Sequence, residues 1–423
     1  MKSGHLFSKR MRKIYSYSYS PSGILSGWFV VLLLWVSHII YFSITSSLGV
    51  LGPVLKQDLD LSNTELGFLS SAIAIGTTVF QIPGGLCCDR YGVRKMMSLG
   101  FLLMGTFFFI FSFSGSFLLA SGLLFLMGLG VGCSQVSAAK AVMDWFPFKG
   151  RATAMGVKQT GINVGGVLSS SLFPFLISLY AWSVLIRWIS LVAFAFVFLF
   201  YFAYRDSPRT ETSFSNKVHF KDILTYLKNL DFLLIALSGV FLMVVQFSFS
   251  TYFVLYLNQT LHYSIEQSGL ILALSFGTGA FARVGWSFGS DYFFKNRESV
   301  LILIAGLGAS VAVVLSLISP SSPAWLIYFL SALFGVTGMG WNAIWITLVG
   351  ERSLKESAGF GIGVSFFIAT FGIILGPPSF GFLADLFHTF LWSWLFLAFC
   401  MIVVSLLTLW IMCKGRNNLV REV

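Results

Sequence analysis

Charge is the scarcest property of this chain: Asp, Glu, Lys and Arg together make up only 10% of its 423 residues. Soluble domains carry about 25% charged residues, so a water-exposed globular surface is excluded. Cysteine is sparse as well. Cys87, Cys88, Cys133, Cys400 and Cys413 are spaced neither as metal ligands nor as a disulfide framework. No G-x-x-x-x-G-K-[ST] loop is present, which removes ATP as a driving force, and no nucleophile–base constellation points to an enzyme. Nothing calls for a cofactor or a metal. The acids number sixteen, and none falls near the middle of an apolar run: Glu65, Asp144, Asp231 and Glu266 all sit at run ends.

Apolar residues fill the space that charge leaves, at 57% of the chain and a mean hydropathy of +0.85. They fall into runs of about 18–25 residues, long enough for a helix to cross a hydrocarbon core of roughly 30 Å. In that medium the backbone must satisfy its own hydrogen bonds within each run, so the runs are read as helices. The expected spans are 27–52, 64–86, 97–115, 118–140, 152–176, 183–203, 231–256, 266–289, 300–318, 324–349, 358–379 and 390–412. Twelve spans put both termini on one side. Lys9, Arg10, Arg12, Arg90, Arg94, Lys95, Lys149, Arg151, Lys217, Lys221, Arg297, Arg352, Lys355 and Arg416 all lie on that side, and Lys56 and Arg187 alone on the other. Lys and Arg enrichment marks the cytoplasmic face, so both termini are expected inside. The net charge of +11 is thereby a topology signal around a lipid bilayer, with no reason to invoke nucleic acid.

The loop after the second run reads Gly85-Leu86-Cys87-Cys88-Asp89-Arg90-Tyr91-Gly92-Val93-Arg94-Lys95. It resembles the G-x-L-x-D-R-x-G-R-K signature between helices two and three of the major facilitator superfamily of transporters. Cys87 replaces the usual Leu, and Val93 shifts the second basic position to Arg94. The resemblance implies an all-α membrane protein of twelve transmembrane helices in two pseudo-symmetric six-helix bundles. It further implies a monomeric secondary transporter of bacterial type, in the inner (plasma) membrane. Residues 1–203 and 231–423 would be the two bundles, with the polar segment 204–230 as a cytoplasmic linker. Internal repetition agrees: helix two ends Gln81 to Asp89, helix eight ends Arg283 to Asp291, each with a polar residue eight positions before the acid. Such repeats place a solute site near the midplane between the halves. In the superfamily the helix-end acids Asp89 and Asp291, with Arg90 and Arg94, hold the cytoplasmic side closed; the plainer alternative is a solvated turn. In the second half Tyr292 stands where Arg90 stands in the first.

Polar residues inside the spans are costly and therefore informative. Arg283 lies roughly 12 Å inward from Asp291 along a helix, where a guanidinium needs a cavity or a partner; the plainer alternative is a structural Arg hydrogen-bonded to helix carbonyls. Its fork of donors suits a carboxylate or similar oxyanion, and its position resembles the anion-binding Arg of nitrate porters. The equivalent in the first half is Gln81, where those porters have a second Arg. Gln159 and Asn163, four apart, share one face of helix five in a stretch similar to helix five of sugar facilitators. Lys158 beside them either snorkels to the edge or lines the cavity. In helix ten, Trp341 and Asn342, with Trp345, offer either a solute platform or packing. His38 is the one histidine within a span and the candidate proton carrier; the alternative is a neutral ring in an interhelical hydrogen bond. Together these residues lead us to expect a transporter of a small anionic or zwitterionic solute, with H+ as coupling ion. The alternative is a proton-linked drug efflux pump, against which stand Leu124 before Gly128-Leu129-Gly130 and the lack of a Gly-Pro in Asn163-Val164-Gly165-Gly166.

Overall fold

A computed structural model describes residues 21–146, 151–206, 228–294, 296–353 and 358–421. Most of the expected linker (207–227), the basic N-terminus and Lys295 lie outside the described residues. The first half holds α1 (Pro21–Asp58), α2 (Asn63–Tyr91), α3 (Val93–Phe111), α4 (Phe117–Trp145), α5 (Arg151–Leu179) and α6 (Trp182–Ala203). The second holds α7 (Leu230–Leu261), α8 (Ile265–Tyr292), α9 (Arg297–Leu317), α10, α11 (Ala358–Phe387) and α12 (Leu391–Arg421). Helix α10 is interrupted: Ala324–Phe334 and Asn342–Arg352 are joined through a π turn at Gly335–Met339. Eleven of these elements are long and apolar enough to cross a membrane, and α2, bent by 51° next to Pro83, makes twelve. A proline ring lacks the N–H and crowds the preceding turn, which accounts for the bend. Phe198, Phe202, Phe281, Val284 and Trp325 face outward and exposed, an arrangement that suits lipid and not water.

The repeat seen in sequence recurs in the helix starts. Ser62 and Glu65 form a reciprocal capping box at α2, and Ser264 with Gln267 forms the same box at α8, so each satisfies two of the orphan N–H groups of its helix.

The halves meet along α1–α7, α2–α11 and α5–α8. Every hydrogen bond between them, among the described residues, lies in the part of the molecule distal to the basic loops. Asp385, in the last turn of α11, accepts from the backbone N–H groups of Asn63 (2.9 Å) and Thr64 (2.7 Å) and from the Thr64 hydroxyl (2.6 Å). The Tyr252 hydroxyl of α7 donates to the Asn63 carbonyl. Deeper in, Ser71 donates to the Ile374 carbonyl at 2.5 Å. Pro378 has no N–H to offer that carbonyl, so the second proline of α11 creates the acceptor that α2 occupies. The deepest aromatic contact is Phe42 with Phe276, 5.8 Å apart and edge to face, beside Gly166, where a Cβ would meet the Phe276 ring at 2.6 Å. From there toward the basic loops, no hydrogen bond or ion pair joins the halves among the described residues. The distal end is shut and the basic end open.

Candidate functional site

Arg283 occupies the half interface because of its register on α8. It lies seven residues beyond Phe276, about two turns, so both project on the same face. That puts it roughly 10 Å from the seal toward the open end. Four side chains of α8 reach backbone carbonyls of α10: Ser275 to Ser331 (2.9 Å), Thr278 to Ala332 (3.0 Å), Trp286 to Val336 (2.9 Å) and Arg283 Nε to Met339 (3.2 Å). The last two acceptors belong to the π turn, whose altered pairing leaves carbonyls free for side chains. Arg283 is thus held by one edge, and the two terminal nitrogens of its fork have no partner among the described residues. No carboxylate pairs with it among them.

Facing it from the first half are groups on α1, α4 and α5. Tyr41 of α1 lies within electrostatic reach of Arg283 and beside the Gln135 side chain of α4. One turn away, the His38 ring packs edge to face against Tyr41 at 5.1 Å. Nδ1 of His38 lies 2.9 Å from the Leu34 carbonyl, which fixes it as the donor and leaves Nε2 without a partner among the described residues. Lys158 of α5 lies within electrostatic reach of His38. It does not snorkel: only 5% of it is exposed, because Gly161, where a Cβ would meet His38 at 2.9 Å, lets α1 press against α5 over it. Gln159 shares the face of Gly166 and is exposed in the open cleft, while Asn163 is buried beside it.

Other expected residues are placed differently. Trp341 is no open platform: it is fully buried, its indole N–H donates to Gly338 at 3.1 Å, and it packs edge to face on Trp345. Trp345 in turn fills the space over Gly239 and donates to Ile235. The π turn rotates this stretch out of the register of an uninterrupted helix and into the core of the second half. Asn342, at the restart of α10, is half-buried, as is Gln81 at the bend of α2. Neither has a hydrogen-bond partner among the described residues. Sequence reasoning missed Tyr41 and Gln135. A signal for Tyr41 exists in the sequence, since it stands three residues after His38 on the same helical face.

The family model described as "Major Facilitator Superfamily" matches residues 33–377. The chain belongs to this superfamily. Among curated relatives, it is 26% identical to the hexuronate transporter of Bacillus subtilis over 387 residues, spanning 85% of this chain and 89% of that one. It is 24% identical over 404 residues to GarP of Escherichia coli, a probable galactarate/D-glucarate transporter, covering 87% and 90%. Among solved structures, a bacterial homologue of the human lysosomal transporter Spinster, inward-facing and unoccupied, superposes with a TM-score of 0.73 at 15% identity, covering 91% and 95%. A secondary transporter built of two six-helix bundles is what sequence and fold agree on.

At the basic end of this superfamily member the charges pair otherwise than expected. Asp89 binds Lys140 of α4 at 2.6 Å and neither Arg90 nor Arg94. Arg90 stands over Tyr91, and Arg94 donates to the Tyr201 carbonyl (2.5 Å) and lies over the Tyr201 ring. Gly92, at φ +83°, turns the chain so that the Arg94 N–H meets Asp206 at 3.3 Å, an acid at the positive start of α3. In the second half Asp291 is not left without a cation. Arg297 binds it at 3.1 Å and Glu351 of α10 at 2.6 Å. Both pairs stay within their own half.

Proposed function

We propose that this transporter carries a small anionic or zwitterionic metabolite by alternating access, and that Arg283 is its anion anchor. The observation that carries the reading is the half-satisfied guanidinium: one edge tied to the Met339 carbonyl, the other open to the cleft between the halves, with no acid to neutralise it among the described residues. A desolvated charge gains most from a bound counter-ion, and the relatives above are named for acid sugars. Gln159, Asn163 and Gln81 are proposed to shape the pocket, with Asn342 at its rim. The basic end is proposed to be cytoplasmic, in a bacterial inner membrane, with both termini inside and 204–230 as linker; the open conformation is then inward-facing. The Asp89–Lys140 and Asp291–Arg297–Glu351 clusters are the proposed gate elements, and His38, through Nε2, the proposed site of a co-transported proton. The protein is proposed to act as a monomer.

The test is solute affinity and uptake in purified, folded protein. Arg283→Gln is expected to weaken binding of an acid sugar by two orders of magnitude or more, and Arg283→Lys to restore it only in part, since an ammonium has no fork. Equal affinity in wild type and Arg283→Gln removes the anion reading and returns drug efflux to contention. For orientation, external thiol labelling of intact cells is expected to modify a Gln259→Cys variant and to miss Ser215→Cys; the reverse pattern inverts the topology.

A further inference from the structure

Lys158 has no place in a site for a single charge. It lies eight residues from Gly166, roughly 12 Å on the basic side of the Phe276 seal, and Arg283 lies roughly 10 Å from the same seal on the facing helix. By helix rise the two cations occupy one layer, Lys158 on the first half and Arg283 on the second; His38 is within electrostatic reach of Lys158 and Tyr41 within that of Arg283, and the two rings touch edge to face. Lys158 is buried, yet it makes no hydrogen bond or ion pair among the described residues, and neither does the free edge of Arg283. Three other lysines find acceptors: Lys140 binds Asp89, Lys414 binds Asp231 and Lys56 binds Asn63.

Resting on the reading of Arg283 as the anion anchor, we propose that the transporter's preferred solute is a dianion with a carboxylate at each end, one bound by Arg283 and the other by Lys158. A monoanion would neutralise one cation and leave the other buried and uncompensated. A dicarboxylate satisfies both and ties the two halves together, so it is also the solute over which the open end closes.

Galactarate and D-galactonate are a suitable probe pair, sharing a carbon chain and differing only in the second terminal carboxylate. Their affinities are measured by calorimetry on the full-length protein in lipid nanodiscs at pH 7, where these carboxylates are ionised. Wild type is expected to bind galactarate at least about tenfold more tightly than galactonate. Lys158→Gln is expected to bring galactarate down to the galactonate level with galactonate unchanged, and Lys158→Arg to keep the preference. Should Lys158→Gln fail to fold, the wild-type ratio and Lys158→Arg still decide. Equal affinities in wild type, or an equal loss for both solutes in Lys158→Gln, overturn the second anchor and leave Arg283 standing. Loss of discrimination without any effect of Arg283→Gln on either solute overturns both readings.

Discussion

Along α2 and α4 the backbones touch through glycine: a Cβ on Gly76 would meet the Phe125 carbonyl at 2.1 Å, and one on Gly128 the Ile73 carbonyl at 2.3 Å. The equivalent seam in the second half, α8 with α10, is as close, since a Cβ on Gly335 would meet the Ser275 carbonyl at 2.3 Å. It is nevertheless laced by four side-chain donors to backbone carbonyls; among the described residues the first seam has one such bond, Thr77 to the Gly128 carbonyl at 3.2 Å, besides the Lys140–Asp89 pair at its basic end. The same repeat has thus become a plain contact in one half and a polar scaffold in the other. Only the polar scaffold can hold a guanidinium in the membrane, because only there does a π turn expose carbonyls to receive it. The asymmetry of the two halves is what makes the proposed site out of a repeat.

The contrast can be broken most decisively on the apolar side. Gly128→Leu drives a side chain into backbone that cannot step aside, and should exceed the roughly 3 kcal/mol upper range of overpacking; thermal unfolding with size-exclusion chromatography should show loss of folded protein. A well-folded Gly128→Leu would mean that the first seam tolerates slack. Next, Arg283→Gln should cost about 3–5 kcal/mol in solute binding, while Gln81→Ala, its neutral counterpart in the repeat, should cost only about 1 kcal/mol. Comparable losses in a titration of the two variants would make the halves functionally equal. Smaller effects are expected at the basic end. Arg297→Gln leaves Asp291 and Glu351 facing each other without their cation, whereas Asp89→Asn leaves Lys140 with Asp144 nearby. Exposed pairs contribute about 0.2–1 kcal/mol, so initial uptake rates should fall up to about fivefold, and further in Arg297→Gln. An unchanged rate in both would reduce these clusters to solvated turns. Last, His38→Gln lies on neither seam; solute affinity should be unchanged, with loss confined to accumulation driven by a pH gradient. Retained pH-driven accumulation would move the proton site elsewhere.

Much of the architecture is legible in the sequence. The length of the apolar runs dictates helices in lipid, and Arg283 announces itself by the cost of placing it there. Its partners are not legible. Met339 contributes a carbonyl, which every residue has, and only the broken pairing of the π turn makes that carbonyl available. Side-chain exchange across helices is equally hidden: Lys140 is 51 positions from Asp89, while Arg90 is adjacent and faces elsewhere. Trp341 shows the same limit from the other direction, since a register shift of part of a turn converts a wall into core. One sequence signal does reach across helices. Asp58, Asp89, Asp291 and Asp385 all lie in the last turns of helices, where the dipole disfavours an acid. Each is answered by a group on another helix or loop: Trp182, Lys140, Arg297 and the start of α2. An acid at the wrong end of its helix marks a tertiary contact, and its position along the apolar run is enough to find it.

Asp385 gives the molecule a sidedness of affinity. It grips the first two amides of α2 from the other half, and those donors are backbone, present whatever side chains occupy Asn63 and Thr64. A solute arriving from the basic side would meet the proposed Arg283 site already exposed. One arriving from the distal side meets only the fraction of molecules in which that grip has let go, and its apparent affinity is lowered by the same fraction. The two faces of one pocket should therefore report different half-saturation concentrations for the same solute, with the weaker value at the end that Asp385 guards.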